Sequence, residues 1–353
     1  MPTEANRQLV LRRRPQGIVG PEHFELRTAS VPEPAEGQAL VRIELLSLDP
    51  AQRSFLNEHP PWGPPMEIGD VMRGDAVARV VRSRSDAFCE GELVEGWFGW
   101  QDYAVIGKRD LGPIGRVPDG TAPEDALSAL GLTGLTAYFG VIEVGRPRSG
   151  QTMVVSAAAG ATGSVAGQVA KALGCRVIGI AGGERKCRWL LETAGFDAAI
   201  DHRAEDVGAR LRALCPDGVE LFFDNVGGTV LDHVLGHLAY DATIVVCGSV
   251  SSGYTEDEHL PPGPRNYVKL SGRSARMEGF TLGDFSERLA DGRRQLAAWL
   301  ADGVLHRAHD VMDGLEQAPE GLRRIFRGEN LGKAMVRIAR AEDSRVTPDR
   351  RGG

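Results

Sequence analysis

Three scarcities narrow this 353-residue chain before any motif is read. Cysteine is sparse: Cys89, Cys175, Cys187, Cys215 and Cys247 are scattered, form no CxxC pair and are odd in number. That argues against a closed disulfide framework and leads us to expect a reducing compartment, the cytoplasm. Positive charge is not in excess, since 41 Lys and Arg stand against 48 Asp and Glu for a net charge of -7. Without a basic field, nucleic acid and anionic membrane surfaces are poor partners, and a small molecule is the expected one. Long apolar runs are missing as well. Nothing approaches the length of a bilayer span, and the opening MPTEANRQLVLRRR has no apolar core of a secretory signal.

Two chemical signatures are also absent. No GxSxG elbow occurs, which removes the usual strand-to-helix nucleophile of a hydrolase. The first third offers only Cys89, His23 and His59 as soft ligands, without the close Cys/His spacing that a zinc centre uses. No metal is expected. Cys175, Cys187 and Cys247 lie in or beside apolar runs, where packing accounts for them.

What is present is the balance of an ordinary globular protein, 42% hydrophobic and 25% charged. The length exceeds what one core usually supports, so two domains are expected. From Arg7 to about Ala122 short alternating runs such as QALVRIELLSL and DAVARVVRS predict strands. From Pro123 the spacing turns helical, and then apolar runs (TMVVSA, CRVIGIAG, AAID, LFFDNVG, TIVVCGS) alternate with amphipathic segments (SVAGQVAKALG, ERKCRWLLETAG, VGARLRALC, TVLDHVLGHLAY). Alternation of this kind implies βαβ units, hence an α/β fold with a doubly wound parallel sheet. Pattern alone thus divides the chain into a strand-rich part up to about Ala122, the alternating part after it, a mixed final part ending in ENLGKAMVRIAR, and a polar tail expected to be disordered over 341–353.

The stretch AAGATG falls where TMVVSA passes into SVAGQVAKALG. Laid on GxGxxG, its three positions are Ala158, Gly160 and Gly163. Gly160 would admit a pyrophosphate to the backbone, Gly163 would let helix and strand pack closely, and a helix starting near Thr162 would aim free N–H groups at the phosphates. A ligand-free packing segment is the alternative, and the strand-turn-helix context favours a dinucleotide. An NAD enzyme usually holds the ribose 2′-hydroxyl with an acid at the tip of the next strand. Here that strand ends in Gly182 and Gly183, followed by Glu184, Arg185, Lys186 and then Arg188. Cations without an acid favour NADPH, the alternative being a solvated helix face.

Taken in series, LGLTGLTAYFG, AAAGATGSVAGQVAKALG, AGGERK, FDNVGG, SARMEGF and GENLGKAMV give the chain, from about Arg7 to Ala339, a further reading. It resembles the zinc-independent medium-chain dehydrogenase/reductases, in the branch of prostaglandin reductases and alkenal double-bond reductases. The resemblance implies a chaperonin-10-like β-barrel catalytic domain over 1–125, a Rossmann cofactor-binding domain over 126–305 and a return to the catalytic domain over 306–340, a homodimer, and NADPH-dependent reduction of the C=C bond of α,β-unsaturated ketones and aldehydes. It further implies that Gly160, Ala161, Thr162 and Gly163 hold the pyrophosphate and Lys186 the 2′-phosphate. Asn225 and the loop Cys247, Gly248 and Ser249 would line the cofactor, Phe280, Thr281 and Leu282 would flank the nicotinamide, and Asn330 would bond it. Tyr254 matches a tyrosine near the nicotinamide ribose and substrate, and is the expected catalytic donor. Two departures stand out: in AAIDHR, His202 stands where the family has a tyrosine that touches the 2′-phosphate and is the expected contact in its place, helped by Arg203, and in DPAQR Ala51 replaces an aromatic residue. An NADPH quinone reductase and a non-enzymatic NADPH-binding protein are the competing readings.

Overall fold

The computed structural model describes residues 5–61, 63–107, 115–255 and 263–338. The tail over 341–353 and the first two residues of PPGPRNY lie outside that set. The first part is built of strands β1 (Ala5–Leu11), β2 (Phe24–Ser30), β3 (Gln38–Ser47), β4 (Ala76–Ser83), β5 (Leu93–Gly96), β6 (Tyr103–Gly107) and β7 (Gly115–Arg116). Helices α1 (Pro123–Ala126) and α2 (Leu132–Phe139) lead out of it. Six parallel strands follow, β8 (Thr152–Val155), β9 (Arg176–Ala181), β10 (Ala198–Asp201), β11 (Val219–Asp224), β12 (Leu238–Val246) and β13 (Arg276–Gly279). Between them run α3 (Ala161–Ala172), α4 (Glu184–Glu192), α5 (Val207–Leu214), α6 (Gly228–Leu235) and α7 (Lys269–Arg273). The chain then passes through α8 (Leu289–Ala301), β14 (His309–Asp313), α9 (Ala318–Phe326) and β15 (Lys333–Arg337).

The six parallel strands lie in the order β10-β9-β8-β11-β12-β13, a Rossmann arrangement whose order reverses between β8 and β11. Their apolar runs are nearly continuous because both faces are covered. Met153, Val155, Leu221 and Phe223 join one core, while Val154 and Phe222, the alternate residues, join the core on the opposite face. The small residues of α3 follow from close packing. A Cβ on Gly167 would stand 2.0 Å from the Phe196 ring.

The remaining large sheet is mixed and barrel-like, in the order β14-β15-β3-β4-β5-β7 with β6 also on β3. Strand β3 is its hub, pairing with β4 on one edge and with β6 and then β15 on the other. Its burial along nearly the whole length follows from that position. Leu11, Val41, Ile43, Val94 and Trp100 fill the interior, with Trp100 against Phe24. Because β15 lies in this sheet, the last described strand closes what the first third began.

One helical segment is shorter than its sequence pattern suggests. TVLDHVLGHLAY does not continue as a helix: α6 stops at Leu235, and LAY already belongs to β12. Asp241, at φ +60°, produces a register shift, so that Val219 faces Leu238 while Leu221 faces Thr243. An acidic residue in a left-handed bulge can extend a strand that pattern alone would begin five residues later, at Thr243.

Candidate functional site

Every expected cofactor contact except Asn330 falls just past the C-terminal end of a parallel strand, the side on which open α/β sheets bind ligands. Beyond β8, the turn passes through Ala157 at φ +46° and reaches Gly160, which caps α3. The helix thus starts at Ala161, one residue before the position its sequence suggested. Ala158 is fully buried and donates its N–H to the carbonyl of Ile180, so the first fingerprint position accepts a methyl group here. Gly163 does not: its Cβ would stand 2.4 Å from the Ala157 carbonyl oxygen. The free N–H groups at the start of α3 point where an anion is stabilised.

Beyond β9 the absence of an acid has a structural counterpart. A Cβ on Gly182 would touch His202 Nε2 at 2.8 Å and Arg203 Nε at 2.9 Å, so glycine lets two basic side chains lie over the strand tip. Lys186, on the first turn of α4, donates from Nζ to the Gly328 carbonyl at 2.9 Å. Arg203 Nη2 donates to the carbonyls of Arg327 (2.8 Å) and Gly328 (3.3 Å). These two cations therefore converge on the C-terminal end of α9, whose carbonyls favour positive charge. Burial, with Arg203 and Arg185 beside it, pulls the Lys186 ammonium down to about 8. Burial and then Arg203 also lower the His202 imidazole, which leaves it neutral at neutral pH. Arg188 pairs with Glu184 one turn away and belongs to the solvated face of α4. A carboxylate does stand nearby, but Asp201 is turned to backbone, accepting from the N–H of Gly183 (2.8 Å) and Arg203 (3.0 Å). This donor set fits a 2′-phosphate better than a ribose hydroxyl pair.

Beyond β11 lies a small buried network that motif reading did not single out. Ser156 Oγ donates to Asp224 Oδ1 at 2.8 Å and accepts from the Asn225 N–H, while Asn225 Nδ2 donates to the Ser156 carbonyl at 2.7 Å. Asp224 also receives the N–H groups of Val226 and Gly227, which explains why FDNVGG needs its acid. Beyond β12, the N–H groups of Cys247 and Gly248 reach the Asp224 carbonyl. Burial pushes the Cys247 thiol up to about 12, so it is inert packing. Tyr254 Oη accepts from the Ser249 N–H at 3.1 Å and lies 2.9 Å from where a Cβ on Gly248 would be. Its carbonyl accepts from Asn57 Nδ2 of the barrel part at 3.1 Å, which places this residue between the two sheets.

The other expected contacts are less uniform. The Phe280 ring is committed to the Rossmann core, beside Phe285 and against the end of α2. Thr281 donates its N–H to Asp284, and Leu282 is buried. Asn330 Nδ2 donates to the Gly332 carbonyl at 2.9 Å, and the Gly332 N–H donates to Ala159 in the glycine turn at 2.8 Å. Gly160 and Gly332 are bridged as in a parallel ladder. The segment after α9 is therefore stitched to the cofactor side at both ends, at Gly328 and at Gly332. Among the described residues no group of three or more His, Cys, Asp or Glu side chains is placed to hold a metal ion.

Known proteins share this arrangement. Residues 7–114 match the family described as the N-terminal domain of oxidoreductase, and residues 161–298 the family described as zinc-binding dehydrogenase. The chain is 41% identical over 341 residues to the NADPH-dependent curcumin reductase of Escherichia coli (strain K12), covering 95% of this chain and 98% of that one. It is 34% identical to a 2-alkenal reductase (NADP(+)-dependent) of Nicotiana tabacum, with 95% and 98% covered. Among solved structures, CurA from Vibrio vulnificus in complex with NADPH superposes with a TM-score of 0.88 at 39% identity, over 95% of this chain and 99% of that one. With a Rossmann sheet, a barrel-like partner sheet and relatives matched end to end, the chain belongs to the medium-chain dehydrogenase/reductases, in the branch of curcumin, prostaglandin and 2-alkenal reductases.

Proposed function

We propose that the protein reduces the C=C bond of α,β-unsaturated ketones and aldehydes with NADPH and without zinc. The observation that carries the cofactor choice is the convergence of Lys186 and Arg203 beside an acid-free strand tip. The reaction class follows from the end-to-end likeness to reductases of curcumin and alkenals. When bound, NADPH supplies the hydride that such a reduction adds at the β-carbon. The turn at Gly160–Gly163 holds the pyrophosphate, Lys186 and Arg203 the 2′-phosphate, and the loops after β11, β12 and β13 the nicotinamide half. Neutral His202 packs beside the phosphate rather than paying for it with charge.

Negative charge then grows on the substrate carbonyl oxygen, and a donor aimed at it lowers the barrier. Tyr254 suits this role. Burial keeps its phenol protonated, and since Oη already accepts from Ser249, its own hydrogen is free to be donated. Tyr254→Phe should lower kcat roughly tenfold or more while NADPH affinity stays near that of the parent. Equal kcat in the variant would remove Tyr254 from the chemistry. The reaction class is tested by following NADPH consumption with simple enones and identifying the product: saturated ketone supports it, an allylic alcohol refutes it.

The protein also works, on this reading, as a cytoplasmic homodimer. Strand β13 is paired only with β12 among the described residues, so its outer edge is available to a second copy. Sedimentation at the mass of one chain would exclude the dimer.

A further inference from the structure

Tyr254 is held in a backbone conformation that a bulky side chain rarely adopts. Gly253 stands at φ +64° and Tyr254 at φ +52°, two left-handed residues in succession. Glycine adopts that region freely, whereas tyrosine is strained in it and stays only where its contacts over-determine it. Hydrogen bonds from two directions do so. Within the loop, the Tyr254 N–H donates to Ser252 Oγ at 3.2 Å and Tyr254 Oη accepts from the Ser249 N–H at 3.1 Å. From the barrel part, Asn57 Nδ2 donates to the Tyr254 carbonyl at 3.1 Å. The first two travel with the loop, while the third fixes it against the other sheet.

Asn57 is itself held firmly. It is 7% exposed and follows the short helical turn Pro50–Leu56. Its N–H donates to the Ser54 carbonyl, its own carbonyl accepts from Arg14 Nη1 at 3.0 Å, and its Oδ1 accepts from Arg53 Nη1 at 2.6 Å. Arg53, 2% exposed, sends its other donors to the carbonyls of Gly17 (2.8 Å) and Pro15 (2.9 Å). A guanidinium can only donate and a carbonyl can only accept, so the Asn57 amide has one orientation, with oxygen toward Arg53 and nitrogen toward Tyr254. The other end of the segment is fixed as well. Asp49 pairs with Lys333, 1% exposed, which follows the Gly332 that bonds Ala159 of the glycine turn. The stretch from Asp49 to Asn57 thus acts as a strut, anchored beside the glycine turn at one end and on Tyr254 at the other.

We propose that Asn57, held by Arg53, is a positioning residue for double-bond reduction: it keeps the left-handed Tyr254 in place, so that the phenol hydrogen is presented to the substrate carbonyl oxygen. The inference rests on the reductase reading above and on the part given there to Tyr254. Asn57 exchanges no proton, and its effect lies wholly in where the phenol stands.

Asn57→Asp is the discriminating change. The two side chains have nearly the same shape and a carboxylate still accepts from Arg53, but it offers no donor to the Tyr254 carbonyl and repels it. The kcat should fall roughly tenfold, as in Tyr254→Phe, with substrate KM, NADPH affinity and the urea midpoint little changed. Introduced into Tyr254→Phe, the same substitution should cost almost nothing further, because no phenol remains to be misplaced. A kcat equal to the parent's in Asn57→Asp would overturn the proposal. Losses that multiply in the double variant would overturn it too, by showing that Asn57 does not act through the phenol. Should Asn57→Asp fail to fold, Asn57→Ala carries the same cycle.

Hydrogen exchange gives a readout independent of turnover. The Ser249 amide, protected in the parent by Tyr254 Oη, should exchange roughly tenfold faster in Asn57→Asp. An unchanged rate would overturn the positioning whatever the enzyme reduces. If the parent is inert toward every enone, or Tyr254→Phe keeps the parent's kcat, the reading beneath the proposal falls, while the exchange rate still decides whether Asn57 holds Tyr254.

Discussion

Replacing Lys186 and Arg203 together by alanine is expected to weaken NADPH binding roughly a thousandfold and to leave NADH binding almost unchanged. On the proposed reading each cation would offer a charge-assisted hydrogen bond to the 2′-phosphate, worth about 1.5–3 kcal/mol, and two such bonds span about two to four powers of ten in affinity. NADH has no 2′-phosphate and loses nothing comparable. Titration of intrinsic fluorescence with each nucleotide measures both constants. An equal loss for the two would mean that these residues support the fold rather than select the cofactor. Each single variant should show part of the effect, with non-additivity because the side chains share the Gly328 carbonyl.

A pH dependence accompanies this result. The Lys186 ammonium, held at about 8, pairs with a phosphate only while protonated. Its folded value is depressed, so charge is lost as pH rises through about 8, earlier than for an exposed lysine. NADPH preference over NADH should therefore decline from pH 7 to pH 9. His202 gives no opposing rise, since its imidazole is already neutral across that window. A preference constant over this range would indicate that Arg203 alone carries the discrimination.

Gly332→Ala is the second large effect. The residue sits at φ +70°, and an added Cβ would lie 1.9 Å from the carbonyl oxygen of Ala308 and 2.5 Å from its carbon. Both are backbone atoms, so no rotamer change relieves the clash. Left-handed strain costs about 1–3 kcal/mol and overpacking a similar amount, for a destabilisation of about 4 kcal/mol. Urea unfolding of the parent and variant reads this as a lower midpoint. Because the Gly332 N–H anchors Ala159, NADPH affinity should fall as well, unlike the effect of a distant destabilising change. Unchanged stability would mean that the β14–β15 connection moves freely, against its tight packing here.

What the sequence made legible is what it encodes locally. The βαβ alternation and the glycine turn between β8 and α3 rest on neighbours within one helix or strand, where periodicity and glycine placement act directly. Gly163 could be read as a close-packing residue from its position alone, and the Ala157 carbonyl at 2.4 Å bears this out. The α6–β12 boundary was misplaced because Asp241 extends the strand through a bulge, a feature without periodic signature. The part played by Lys333 was invisible for another reason. It lies 284 positions from the Asp49 it pairs with, and the two meet only through the pairing of β3 with β15. The anchoring of Lys186 and Arg203 on Gly328 is of the same kind, since nothing near AGGERK specifies the end of α9. Lys333 stood within GENLGK, but burial, the property that matters, is not written in the motif.

The pairing of β3 with β15 also sets an order of assembly during synthesis. The Rossmann sheet is drawn from one contiguous stretch, Thr152 to Gly279, and can close while the chain is still growing. The barrel hub must leave the Leu45–Ser47 end of one edge, beyond the stretch that β6 covers, unsatisfied until Lys333–Arg337 emerges, a loop closure across most of the chain. The part made first is thus completed last, and its open β3 edge is the segment most exposed to mispairing before then.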